Sequence, residues 1–148
     1  MPIIDGEYIT PQTANQLDEL FFNINFGSVE YKSLQPTTTS LFTNRTVAAS
    51  GTATSAGVPT GNNAKMSVSF AQTGMSTNCT MNLYGSDHED LSIPRIIATL
   101  TLGAGTSDGF AIDPIAIPVY TYCTLINNDS AHTAIGTVEI TTWKEPTT

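Results

Sequence analysis

Asp87, His88, Glu89 and Asp90 are consecutive and form the densest set of potential ligands in the sequence. Three carboxylates and an imidazole so close together could bring several oxygens to one point, which suits a hard cation such as Ca²⁺. The spacing fits no EF-hand and no zinc pattern. A solvated turn is therefore the preferred reading, and a cation site at Asp87, Glu89 and Asp90 is the alternative. Asp108 and Asp113 would add oxygens only if their loop folds alongside. His132 has no serine or cysteine in a nucleophile setting, and the chain contains neither a Gly-x-Ser-x-Gly elbow nor a zinc-protease helix motif. No pair of its acids carries a sign of being held across a cleft. The expectation is a protein without catalytic residues and without a cofactor.

Two further sets of side chains carry chemistry. Tyr120, Tyr122 and Trp143 could stack on sugar rings. The preferred alternative is that they fill the second face of a sheet or an interface with another subunit, a role that suits aromatic side chains. Cys79 and Cys123 fall at inward phases of two expected strands. In a reducing compartment they read as buried free thiols, and a bridge stays open if the strands are neighbours. Neither cysteine belongs to a metal-binding or Cys-x-x-Cys motif. Asn44, Asn78 and Asn128 open formal glycosylation triplets, which in a chain with 24 threonines are expected by chance.

The elements that would position these groups are strands. Apolar and polar residues alternate in runs at 65–71, 79–84, 96–102, 117–126 and 133–143, the pattern of strands with one buried face. Met66, Val68 and Phe70 point one way in the first run, and Cys79, Met81 and Leu83 in the second. Ile96, Ala98, Leu100 and Leu102 share a face in the third. Ile117, Val119, Cys123 and Leu125 oppose Tyr120, Tyr122 and Ile126 in the fourth, and Ala134, Gly136, Val138 and Ile140 align in the last. Weaker signals at 29–33 and 41–48 bring the expectation to about seven strands. Asn127-Asn128-Asp129-Ser130 supplies turn residues, so the last two strands read as a hairpin. Residues 50–63 read as a loop or as an insertion that orders against a partner, and 103–109 as a second loop. With no alternation of strand and helix, the expected fold is an all-β antiparallel sandwich, jelly-roll or immunoglobulin-like.

The first 27 residues have a different character. Ile3, Ile4, Tyr8, Ile9, Phe21 and Phe22 lie among Asp5, Glu7, Asp18 and Glu19, and Thr10-Pro11 could cap a short helix over 11–20. More large apolar groups occur here than one face of a short helix can bury. Residues 1–27 are therefore expected to form an arm that contacts another subunit, with the sandwich domain at 28–148.

Composition narrows the partners. The chain has 148 residues, five Lys and Arg and a formal net charge of −8. Nothing here would neutralise a run of phosphates, so nucleic acid and anionic membrane are disfavoured. No apolar run approaches the length that spans a bilayer, and the first residues lack the pattern of a signal peptide. Synthesis in a cytoplasm is expected. Charged residues are 12%, about half the usual ~25%, which leaves a neutral, hydroxyl-rich surface.

An acidic, apolar N-terminal segment leads into a Thr/Ala/Gly-rich set of strands. The late run Ile117-Pro118-Val119-Tyr120-Thr121-Tyr122-Cys123-Thr124-Leu125-Ile126-Asn127-Asn128-Asp129 follows, and Thr137-Val138-Glu139-Ile140 comes near the end. Taken together, these features resemble the small β-sandwich virion proteins of tailed bacteriophages. The resemblance implies a structural role in the virion, most often capsid decoration or cementing, in which copies clamp major capsid subunits as a homo-oligomer, a trimer being favoured. Tail and neck proteins share the same look, and a sugar-binding sandwich module is the alternative from another class.

Overall fold

Alternation along the sequence becomes alternation across two sheets. The computed structural model describes residues 34–145. The arm residues Ile3, Ile4, Tyr8, Ile9, Phe21 and Phe22, the helix expected at 11–20, the strand signal at 29–33 and the boundary near residue 27 all lie outside the described residues.

Nine strands make up the unit Gln35–Lys144. In chain order they are β1 (Gln35–Val47), β2 (Thr52–Thr54), β3 (Val58–Pro59), β4 (Lys65–Gln72), β5 (Cys79–Ser86), β6 (Arg95–Leu102), β7 (Thr106–Ile112), β8 (Tyr120–Asn127) and β9 (Ala134–Lys144). The only helical element among the described residues is a 3₁₀ turn at Pro114–Ala116, whose first free amide, on Ile115, donates to the Asp113 carboxylate at 3.1 Å.

Sheet 1 has the order β1-β9-β4-β7. Sheet 2 has the order β2-β8-β5-β6, with β3 also on β8, and every pairing is antiparallel. The pairs β1 with β9, β2 and β3 with β8, β4 with β7, and β5 with β6 are nested one inside the next. Such a nest, rolled over so that successive pairs fall in alternate sheets, is a jelly roll. The expected all-β sandwich is therefore what the chain forms, in its jelly-roll version and with nine strands.

The core lies between the sheets. Met66, Val68, Phe70, Val138 and Ile140 come from sheet 1, and Cys79, Met81, Leu83, Cys123 and Leu125 from sheet 2, each 2% exposed or less. Gly136 on β9 allows the sheets to approach each other: a Cβ there would lie 2.6 Å from Leu125 Cδ1 and 3.3 Å from Phe70 Cε1. Cys79 and Cys123 sit on paired strands, but the register sets Cys79 against Asn127 and Cys123 against Leu83. Four residues of offset along a strand is ~13 Å, well beyond the reach of a disulfide. Both are buried free thiols.

Several local expectations are corrected. β8 and β9 lie in different sheets, so Asn127-Asn128-Asp129-Ser130 carries the chain across the sandwich instead of closing a hairpin. The stretch 50–63 contains β2 and β3, which lay short pieces along β8. The stretch 103–109 becomes β7 from Thr106 onward. In β6 the register jumps from Leu83↔Ala98 to Tyr84↔Ile96. The bulge places an extra residue, Ile97, opposite one partner and reverses the parity of what precedes it. Ile96, expected in the core, is 57% exposed. Val119, also expected inside, precedes β8 and is 43% exposed.

Candidate interaction surface

The outward residues of sheet 2 form cross-strand rows. One row runs Thr54, Thr124, Asn82, Thr99 and another Thr52, Ile126, Thr80, Thr101. Hydroxyls tie these rows together: Thr99 Oγ1 donates to Asn82 Oδ1 at 2.9 Å, Thr80 and Thr101 share a bond at 2.9 Å, and Asn128 Nδ2 donates to Thr80 Oγ1 at 3.2 Å. Pairs of this kind suit a pleated face. The next row is apolar. Tyr122 on β8 faces Tyr84 on β5, and Tyr84 faces Ile96 on β6.

Tyr84 and Tyr122 have ring centroids 5.0 Å apart and planes within 11°. That separation is close to the spacing of neighbouring strands. The rings therefore rise side by side from the sheet, each covering a face of the other, and present their edges and hydroxyls outward. Burial, with a contribution from Tyr84, pushes the Tyr122 phenol above the ordinary tyrosine range.

The loop after β5 leads into β6 and Ile96. Ser86 is buried, and its hydroxyl donates to the Ser92 carbonyl and accepts from the His88 amide at 3.1 Å. Leu91 N donates to His88 O at 3.0 Å. Leu91 packs over Gly57, where a Cβ would lie 2.7 Å from Leu91 Cδ2. Leu91 and Ile93 both adopt positive φ, 62° and 49°. A β-branched residue in that region is an outlier, held only where its surroundings over-determine it. Ile93 is 78% exposed. The fold thus holds a large apolar side chain in water three residues before exposed Ile96.

The carboxylates of this loop are engaged locally. Asp87 lies 3.5 Å from Arg95. Asp90 Oδ1 accepts from Ser92 N at 3.0 Å, and its bonds from Ser92 hold the carboxyl below its ordinary pKa. Asp108 lies on β7 and Asp113 caps the 3₁₀ turn. Among the described residues no group of three His, Cys, Asp or Glu converges on one point.

His132 also belongs to a loop network. Its Nδ1 lies 3.1 Å from Asp129 Oδ2. Asp129 accepts from the amides of Thr77 (2.9 Å), Ala131 (2.8 Å) and His132 (3.1 Å), and the first two of these, with the His132 contact, hold its carboxyl well below the usual range. Beside it, buried Asn127 donates to the carbonyls of Val47, Ala48 and His132 and accepts from Ser76 Oγ at 2.7 Å. These side chains hold the sheet crossover in place.

Tyr120, Tyr122 and Trp143 do not come together. Tyr120 and Tyr122 stand on β8 in sheet 2, whereas Trp143 stands on β9 in sheet 1, between Pro36 and Lys65. Sequence reading missed Tyr84 and Ile96 as surface partners. Tyr84 had the opposite phase to Cys79, Met81 and Leu83, which was a usable signal, but the bulge behind Ile96 had none.

No protein-family model matches the sequence, and no curated protein matches it. Solved structures do share the fold. PBSX exported protein XepA aligns over 76% of this chain and 38% of its own, with TM-score 0.54 and 13% identity. A structure of the T13 IBDV viral particle aligns over 77% of this chain and 32% of its own, with TM-score 0.51 and 10% identity. The SPBc2 prophage-derived protein YomS aligns over 76% and 96%, with TM-score 0.48 and 13% identity. The chain spans well under half the length of the first two. At these identities the likeness of the first two is one of fold.

Proposed function

We propose that this chain is a non-enzymatic structural protein of a virion, a capsid decoration protein of a tailed bacteriophage. In this reading it binds major capsid subunits and stabilises the head. The observation that carries the proposal is the row Tyr122, Tyr84, Ile96 on the outer face of sheet 2, with exposed Ile93 in the loop just before β6. A half-buried aromatic pair and an exposed isoleucine beside uncharged threonine rows have the make-up of a protein interface. Few charges need to lose their water when such a face is covered. A jelly roll is a fold that viral capsids use, and the likeness to a viral particle at the level of fold supports the same direction. The N-terminal segment 1–27, with Ile3, Ile4, Tyr8, Ile9, Phe21 and Phe22, is proposed as the second contact, linking copies into a homo-oligomer, a trimer being favoured.

The test is the stability of heads. Purified heads lacking this protein are heated with and without it, and DNA release is followed by dye fluorescence. Release at a higher temperature with the protein present is the expected result. Unchanged release, with no protein on the heads, would contradict the reading.

A further inference from the structure

The outer face of sheet 1 carries a trough along β4. One hollow of about 500 Å³ is bounded by Lys65, Ser67, Ala111, Pro114 and Trp143. A second of about 380 Å³ follows it, bounded by Ser69, Ala71, Ser107, Asp108, Thr137 and Glu139. The two succeed each other along β4, with β9 on one side and β7 on the other. From Lys65 to Ala71 the trough is ~20 Å long at ~3.3 Å per residue. Gly109 keeps its middle low, since a Cβ there would strike Val68 O at 2.6 Å.

We infer that this trough binds a neutral polysaccharide chain, with the Trp143 ring covering a sugar face and the Ser, Thr and carboxylate oxygens of the trough bonding its hydroxyls. The first hollow is mostly apolar, with Met66 and Ile112 also in its wall and one hydroxyl, on Ser67. Ser69, Ser107 and Thr137 bring hydroxyls to the second, a mixture that suits the apolar faces and hydroxyls of a sugar. Glu139 meets only the Ser40 hydroxyl, at 3.4 Å, and among the described residues no cation lies within salt-bridge distance of Glu139 or Asp108. Glu139 is thus available as an acceptor, whereas Asp108 Oδ1 already accepts from Gly109 N at 2.8 Å. A net charge of −8 disfavours a polyanion. A peptide would seek a strand edge, where backbone groups are open, and the trough lies on a face.

The full chain is run in native gels containing xylan, hydroxyethylcellulose, mannan or dextran, with polygalacturonate as the anionic control. Trp143, the chain's one tryptophan, reports binding by fluorescence. Retardation by at least one neutral polymer and none by polygalacturonate is expected, with a saturable emission change. Ala111→Arg, at an exposed position, should fill the trough and weaken binding roughly tenfold or more. Should that variant fail to fold, Glu139→Gln is used in its place and should also weaken binding. Ile96→Asp on the opposite sheet should bind normally. Absence of retardation by every neutral polymer, equal retardation by polygalacturonate, or full binding by the trough variant would overturn the inference. The inference stands apart from the virion reading: attachment to heads without glycan binding refutes only the trough, and glycan binding without attachment refutes only the virion role.

Discussion

Tyr84 and Tyr122 are direct cross-strand partners whose rings stack 5.0 Å apart on the outer face of sheet 2. Their placement ties surface chemistry to register, because a one-residue slip of β8 on β5 would send the Tyr122 ring into the core and leave Tyr84 without its partner. A stacked pair of this kind contributes ~0.5–1.5 kcal/mol beyond its buried area. Tyr84→Ala, which also removes the buried part of the ring, should therefore lower stability by at least that amount in urea unfolding, while attachment to heads falls much further.

Asn127 is 1% exposed and satisfies three carbonyls and a hydroxyl from three segments. Truncation would leave these groups without partners away from water. Asn127→Ala is expected to cost ~2–4 kcal/mol, measured as a fall in the urea midpoint at unchanged slope.

Asp129 has its carboxyl pKa lowered by the Thr77 and Ala131 amides and by His132. A carboxylate with a depressed folded pKa adds stability that is complete above the unfolded value of ~4 and is lost as pH falls from there toward the folded value. The melting temperature should drop on acidification from pH ~5 to ~3. Asp129→Asn should melt lower at neutral pH and show a flatter acid limb. An identical acid limb in that variant would contradict the role given to Asp129.

Burial pushes the Cys79 thiol up to about 11 and the Cys123 thiol up to about 12. Thiolate is the reactive form, so neither should react with a disulfide reagent at pH ~8 in the native protein. Both should react once urea unfolds it, at the rate of unfolding. Fast native labelling would contradict their burial.

Much of the fold was legible because its interior is built on period two. The runs ending in Phe70, Leu83, Leu102, Leu125 and Ile140 state which face is buried, and five strands follow from them. β2, β3 and β7 were not legible, for they are short or carry Asp108 and Gly109, and sheet pairing overrides those local preferences. The turn at 127–130 looks the same whether it closes a hairpin or crosses between sheets. Which of these it does depends on Asn127 reaching Val47 and Ala48, about 80 residues away in sequence. The surface row suffered most. It needs the pairing of β5 with both neighbours and a bulge at Ile97, and neither leaves a local mark.

The most direct measurement of the virion role is co-sedimentation of the full chain with purified heads that lack it, comparing wild type with Ile96→Asp. Ile96 is already 57% exposed, so the substitution should leave folding and the melting temperature nearly unchanged while placing a charge at the β6 end of the apolar row. Wild-type protein should saturate the heads at a fixed number of copies, and Ile96→Asp should lose at least ~1.4 kcal/mol, a tenfold weaker Kd. Equal, saturable binding by both proteins would show that this face does not meet the capsid, and the absence of binding by wild type would remove the virion role itself.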